Sequence, residues 1–292
     1  MKFTLSLAFC QPAEYCSLAR SAEQAGFALA ALSDHVVHPR SIATKYPYTH
    51  DGSLRWEPFT PWPDVWVAIG AMAAVTERIG FTTSIFVLPM RNVFTVAKAV
   101  ATAAAISNDR VTLGIGVGWM KEEFELLGQD FHTRGKRTDE MIDVLRKLWA
   151  GGWVEHHGRF FDFDALEMSP APGAEIPIYV GGLSEAALKR AATKGDGWCS
   201  DIHTTEDLRR IVADLRRRRA DSERADKPFS VLAAAADAFD LDGYKRVEEA
   251  GVTHLMTMPW YLYGGGESLQ GKLEAIRRFG DDVIGKLGRS AV

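Results

Sequence analysis

The chain is short of cysteine, of long apolar runs and of surplus charge of either sign, and each shortage closes off a class of function. Three cysteines, Cys10, Cys16 and Cys199, cannot all pair, and none sits in a C-x-x-C spacing that would suggest zinc or redox exchange. That usage points to a reducing, cytoplasmic setting. Met1-Lys2-Phe3-Thr4-Leu5 runs into Gln11-Pro12 too soon for a signal-peptide core, and no stretch reaches the roughly 18 uncharged apolar residues of a membrane span. The formal net charge is −4, from 34 basic against 38 acidic residues, so neither nucleic acid nor an anionic membrane is expected as a partner. The one dense basic run, Arg216 to Arg219, has Asp214 before it and Asp221 and Glu223 after it, and reads as a solvated helix end. Metal ligands are also scarce. Asp34-His35 and Asp201 with His203 are the clusters placed at strand ends, while His156-His157 point to opposite faces of a strand, so no metal site is expected.

What the chain does have is alternation. Phe3 to Phe9, Leu29 to Leu32, Phe81 to Val87, Val111 to Val117, Ile178 to Val180, Gly197 to Ser200, Phe229 to Ala234 and Thr253 to Met258 are short apolar runs, each followed by a helical pattern. The clearest helix spans about Lys136 to Trp149, with Met141, Val144, Leu145, Leu148 and Trp149 on one stripe. Eight strand-helix pairs in 292 residues predict one α/β domain over 1–292, a closed (β/α)8 TIM barrel with insertions at its C-terminal face; an open Rossmann-like sheet is the competing arrangement. The insertions are expected at about 36–63, 119–135 and 151–176. The first holds five prolines and an aromatic set, Tyr46, Tyr48, Trp56, Phe59 and Trp62, a composition suited to folding over something.

In such a barrel the chemistry gathers at the C-terminal ends of the strands. Those ends supply Ser33-Asp34-His35, Thr83-Ser84-Ile85, Gly116, Gly118 and Trp119, then Gly181-Gly182, Ser200-Asp201 and Trp260. Gly114, Gly116 and Gly118 alternate along the fourth strand and leave one face without side chains, either for a ligand or for a close-packed neighbour. Their G-x-G-x-G spacing inside a strand is not a dinucleotide fingerprint. Gly181-Gly182-Leu183-Ser184 could turn backbone amides toward a phosphate at a helix start, or could form only a tight turn capped by Ser184. His35 is a candidate proton-transfer group beside Asp34, or half of a structural hydrogen bond.

Ser33-Asp34-His35-Val36, Thr83-Ser84-Ile85 leading to Leu88-Pro89-Met90-Arg91, Gly114 to Phe124, and Arg134-Gly135-Lys136-Arg137-Thr138-Asp139-Glu140 together resemble the bacterial-luciferase-like oxidoreductases. More narrowly, they are similar to the branch that uses the reduced deazaflavin coenzyme F420. The resemblance implies that Asp34 approaches the tricyclic ring. It implies that Thr83, Ser84 and Ile85 support one ring face through a non-prolyl cis peptide, that Gly116 and Gly118 leave room for the ring, and that Gly181, Gly182 and Leu183 take the phosphate. Trp62, Trp119 and Trp260 are then candidates for the substrate wall. Two positions depart from the sugar-phosphate dehydrogenases of that branch. Trp119 stands where they carry a glutamate, and His38-Pro39 where they carry a tryptophan, which favours a small, more apolar organic substrate.

The leading expectation is hydride transfer between F420 and such a substrate, with His35 as acid or base. The alternative is an FMN-dependent two-component monooxygenase supplied with reduced flavin by a separate reductase. A non-catalytic flavin-binding barrel and a metal-dependent hydrolase rank lower. The alanine-rich helix from about Asn92 to Ile106 is a candidate surface for a homodimer.

Overall fold

The computed structural model describes residues 1–289. The strands are β1 (Lys2–Ser6), β2 (Leu29–Leu32), β3 (Gly80–Thr83), β4 (Phe86–Val87), β5 (Val111–Gly116), β6 (Val154–His157), β7 (Asp162–Leu166), β8 (Ile178–Gly181), β9 (Gly197–His203), β10 (Ser230–Ala235) and β11 (His254–Thr257). The helices are α1 (Tyr15–Ala25), α2 (Val65–Ala73), α3 (Val93–Ser107), α4 (Lys121–Leu126), α5 (Arg134–Trp149), α6 (Glu185–Lys194), α7 (Thr205–Ala220), α8 (Leu241–Glu249), α9 (Pro259–Tyr263), α10 (Leu269–Phe279) and α11 (Gly285–Arg289). Hydrogen bonding runs β1, β2, β3, β5, β8, β9, β10, β11 and back to β1, every pairing parallel, so the sheet closes into an eight-stranded barrel ringed by helices. Helices pack outside because each strand is apolar on both faces: β5 is buried at every position, and α5 turns Met141, Val144, Leu145 and Leu148 inward. The open-sheet alternative is thereby excluded.

Local chemistry sets the helix starts. Asp64, Asn92 and Ser184 each take an extended backbone or near it and accept amides of the first turn, which satisfies donors the helix itself leaves unpaired.

Three expectations need correction. The third strand does not run unbroken from Phe81 to Val87: it stops at Thr83, passes through a cis Ser84-Ile85 peptide, and resumes as β4 against β5. The 119–135 segment is not wholly irregular, because α4 forms within it. The 151–176 segment follows α5 and precedes β8, so it leaves from the opposite end of the barrel to the other two. It is the antiparallel β6–β7 hairpin, where His156 meets Glu140 on α5 and His157 meets Asp162. Among the described residues no helix is long and apolar enough to cross a membrane, and no cluster of His, Cys, Asp and Glu could hold a metal. All three cysteines are free.

Candidate active site

At the C-terminal mouth lies a cavity of about 930 Å³. Its walls include Asp34, His35, Ser84, Ile85, Gly116, Gly118, Trp119, Gly181, Gly182, Leu183 and Trp62, so most of the expected site residues, drawn from five separate stretches of sequence, meet around one space. Two expected residues stand elsewhere. Thr83 is fully buried behind the wall, its hydroxyl donating to the Gly114 carbonyl at 2.6 Å and accepting from the Gly114 amide at 3.1 Å. Trp260 packs into the core at 5% exposure, and its neighbours Tyr261 and Leu262 face the cavity instead. Successive residues on a helix point about 100° apart, so choosing the wrong member of Trp260-Tyr261 is a phase error within α9.

Asp34 and His35 leave the end of β2 toward different partners. Both Asp34 carboxylate oxygens accept from the Arg91 guanidinium, each at 2.6 Å, and one also accepts the Val87 amide at 2.9 Å. Arg91 in turn lies over the Phe86 ring at 4.4 Å. Asp34 therefore ties β2 to the segment that follows the cis peptide, a bidentate geometry that fixes position as well as charge.

His35 is not paired with Asp34. Its Nδ1 lies 2.8 Å from Oε2 of Glu123 on α4, and the other oxygen of Glu123 accepts the amides of Val36 at 2.8 Å and Val37 at 3.3 Å. Glu123 is 1% exposed. Burial pushes its carboxyl upward, but the hydrogen bond and charge of His35 and the two amides outweigh that and hold it below the ordinary carboxylate value. Nε2 of His35 makes no protein hydrogen bond among the described residues. A neutral imidazole whose Nδ1–H is held by a carboxylate presents Nε2 as the basic nitrogen.

Aromatic rings surround that imidazole: Trp56 at 4.9 Å, Trp62 at 5.1 Å and Trp119 at 6.3 Å between centroids, with Tyr46 closing on Trp56 and Trp119. The long first insertion, about 36–63, thus folds over the cavity as its composition suggested. Glu122 fastens it by accepting the amides of Ala43 and Thr44, and Arg55 pairs with Asp201 at the end of β9. Burial pushes the Tyr46 phenol to about 12, with Asp201 adding to the effect, so it stays neutral. Cys199, also in the wall, is raised to about 12 by burial and remains a thiol rather than a nucleophile.

The opposite part of the wall suits a phosphate. Gly182 has φ +113°, and a Cβ there would stand 3.0 Å from that of Ala187; a Cβ on Gly181 would reach the Ile115 carbonyl at 3.1 Å. Glycine is required at both positions, which leaves their backbone open to the cavity at the start of α6. Arg134 lines the same cavity, held by the carbonyls of Gly118 and Phe131 and stacked 3.7 Å over the Phe131 ring.

A family model described as luciferase-like monooxygenase matches residues 1–278. The chain belongs to this family. An uncharacterised protein of Mycobacterium tuberculosis is 36% identical over 290 residues, covering 98% of this chain and all of that one. The F420-dependent glucose-6-phosphate dehydrogenase of Amycolatopsis mediterranei is 28% identical over 191 residues, 64% of this chain and 53% of its own length. Among solved structures, the coenzyme F420 dependent tetrahydromethanopterin reductase of Methanopyrus kandleri superposes with a TM-score of 0.73 at 17% identity, covering 98% of this chain and 99% of that one, and so shares the fold. As a member of the luciferase-like family the chain is an oxidoreductase on a TIM barrel.

The residues that sequence reading missed are the partners. Glu123 lies 88 positions from His35 and Arg91 lies 57 from Asp34, distances over which no local spacing signals contact.

Proposed function

We propose that this barrel is a deazaflavin (F420)-dependent oxidoreductase acting on a small, fairly apolar alcohol or carbonyl compound, with His35 exchanging the proton at the substrate oxygen. The observation that carries the reading is the Glu123–His35 pair, whose imidazole lines the cavity among aromatic rings. A proton-transfer group in a wall of indole and phenol rings suits a substrate with one oxygen and little other polarity.

The residues present fit such a cofactor. Gly181, Gly182, Leu183 and Arg134 would hold its phosphate, while Ile85 and Gly116 would flank its ring. When bound, that group supplies the carbon that gives or takes the hydride. The protein's own part is the proton. Glu123 holds Nδ1–H of His35, which leaves Nε2 to remove a proton from a substrate hydroxyl or, once protonated, to return it to a carbonyl oxygen. Trp56, Trp62 and Trp119 keep bulk water from that exchange. Asp34 is engaged with Arg91 and positions the wall rather than moving a proton.

The family's description favours a second reading, a monooxygenase using reduced FMN from a separate reductase, with the same pocket sheltering oxygen chemistry. Titration of the purified protein with F420 and with FMN, followed by tryptophan quenching, separates the two. The expected result is tighter binding of F420, with hydride transfer to or from a simple alcohol or ketone pair lost in His35→Ala. Preference for FMN would support the monooxygenase, and binding of neither would overturn both.

A further inference from the structure

We infer that the base of the barrel, at the far end from His35, carries a second binding site, one that takes the phosphate dianion of a small phosphomonoester. The site goes beyond the reading above and does not depend on it.

A cavity of about 260 Å³ lies where the last turn of α7 meets the segment leading into β10 and the loop between α8 and β11. Its wall contains Arg216, Arg219 and Lys227 and no Asp or Glu. Arg216 and Lys227 are exposed, and among the described residues neither side chain is held by an ion pair or a hydrogen bond. Their neighbours differ: Arg217 is paired with Asp214, and Arg218 with both Asp214 and Glu185. Gly251 makes room for the Arg216 guanidinium. Its φ is +98°, and a Cβ there would stand 2.7 Å from Nη2 of Arg216.

Arg219 is buried in the same wall at 5% exposure. Its Nη atoms donate only to carbonyls, those of Ala192, Gly195, Lys227 and Pro228, and its guanidinium lies 4.7 Å over the Phe229 ring. Its Nε–H has no acceptor, and no carboxylate pairs with it among the described residues. Behind it, Arg146 and Arg224 share the single carboxylate of Asp196, and their Nε–H groups are likewise buried without an acceptor. Three guanidinium groups against one aspartate leave an excess of positive charge beneath the cavity. Burial lowers the Arg219 pKa, the charges of Arg224 and Arg146 lower it further, and Asp196 alone opposes them. Buried charge without a counter-charge is costly, and an anion in this cavity would supply one.

The charge count selects a dianion over a monoanion. Two unpaired cations at the rim and one uncompensated cation in the wall match a phosphate, whose oxygens suit the arginine fork. Val212, Ala220, Phe229 and Val231 make the rest of the wall apolar, which suits an ester with a short apolar body.

The test is calorimetric titration of the purified full chain with phenyl phosphate and, separately, with benzoate. Phenyl phosphate should bind at least about tenfold more tightly than benzoate and should raise the melting temperature. Arg216→Gln and Lys227→Gln should each weaken phenyl phosphate by about tenfold or more and remove most of that thermal shift. Both side chains are exposed, and melting temperatures without ligand equal to wild type would verify that the variants fold. Phenyl phosphate binding that both variants leave untouched would put the phosphate elsewhere, the Gly181-Gly182 turn included, and overturn the site. No binding of phenyl phosphate, or benzoate bound as tightly, would overturn it as well.

Discussion

Replacing Glu123 by glutamine tests the proton-transfer reading at its least obvious residue. The carboxylate accepts from His35 Nδ1, Val36 N and Val37 N while only 2% of its side chain is exposed. Glutamine fills the same volume, but its amide has one oxygen. If that oxygen keeps the Val36 and Val37 amides, the NH2 faces Nδ1 and forces the imidazole to accept there, placing the proton on Nε2. A neutral His35 in that tautomer donates a hydrogen bond from Nε2 but has no lone pair there with which to remove a proton. Turnover in the direction that needs a base should fall by about 10²–10⁴, the usual contribution of a positioned general base. Stability should fall by about 1–3 kcal/mol at neutral pH, the cost of mispairing one buried polar group.

The pH dependence has a definite sign. Because the folded protein holds the Glu123 carboxyl below its ordinary value of 4.5, its contribution is fully present above that pH and is lost as pH falls through the lowered value. The stability gap between wild type and Glu123→Gln, measured by urea denaturation, should therefore be constant near neutrality and close in acid. Hydrogen exchange at Val36 and Val37 should quicken in Glu123→Ala, which frees both amides. A glutamine variant with wild-type turnover and stability would refute the pairing as a working unit.

Further outcomes follow from single contacts. Gly114→Ala would set a Cβ 1.8 Å from the Thr83 carbonyl oxygen, a clash with backbone that should prevent folding or cost at least about 3 kcal/mol. Gly70→Ala, in α2 with nothing within 4 Å, should instead raise stability by about 0.5–1 kcal/mol in the same denaturation assay. Asp34→Ala strands Arg91 and the Val87 amide and should cost about 3 kcal/mol, part of it recovered in Asp34→Ala with Arg91→Met. With Ellman's reagent at mildly alkaline pH the native protein should expose Cys16 alone. Burial places Cys10 at about 11 and Cys199 at about 12, so these two thiols should react only after denaturation.

The barrel was legible because its signals are local. Short apolar runs, helical stripes such as Met141 to Trp149, and cap residues such as Asp64 and Asn92 each act within a few positions of themselves. The candidate site was legible only as a set of strand ends. Nothing in the sequence shows that His35 turns to Glu123 rather than to the adjacent Asp34, because the choice is made by α4. That helix was itself hidden: Phe124 is its one fully buried hydrophobic side chain, set among Lys121, Glu122, Glu123 and Glu125. The insertion at 151–176 was legible as an insertion but not in its place, since its end of the barrel depends on following a helix, α5, rather than a strand.

The alternating glycines of β5 bear on the choice their spacing leaves open, between a ligand and a close-packed neighbour. They do leave one face bare, yet the vacated volume is already taken. The Thr83 carbonyl fills the place of a side chain at Gly114. At Gly116 a Cβ would stand 2.4 Å from Cδ1 of Ile85, and at Gly181, on neighbouring β8, 2.8 Å from Cγ2 of the same residue. Ile85 is thus seated between two glycines of adjacent strands, and Gly118 makes similar room for Val87 and Phe124. The glycines are demanded first by the segment Thr83 to Val87, which they allow to lie flat against β5 and β8. A ligand in the cavity meets Ile85 beside the backbone of Gly116 and Gly181. Whatever shapes the cavity at this wall is set by how Ile85 is held, which joins the bare strand face, the Asp34–Arg91 tie and the Gly181-Gly182 turn into one structural unit.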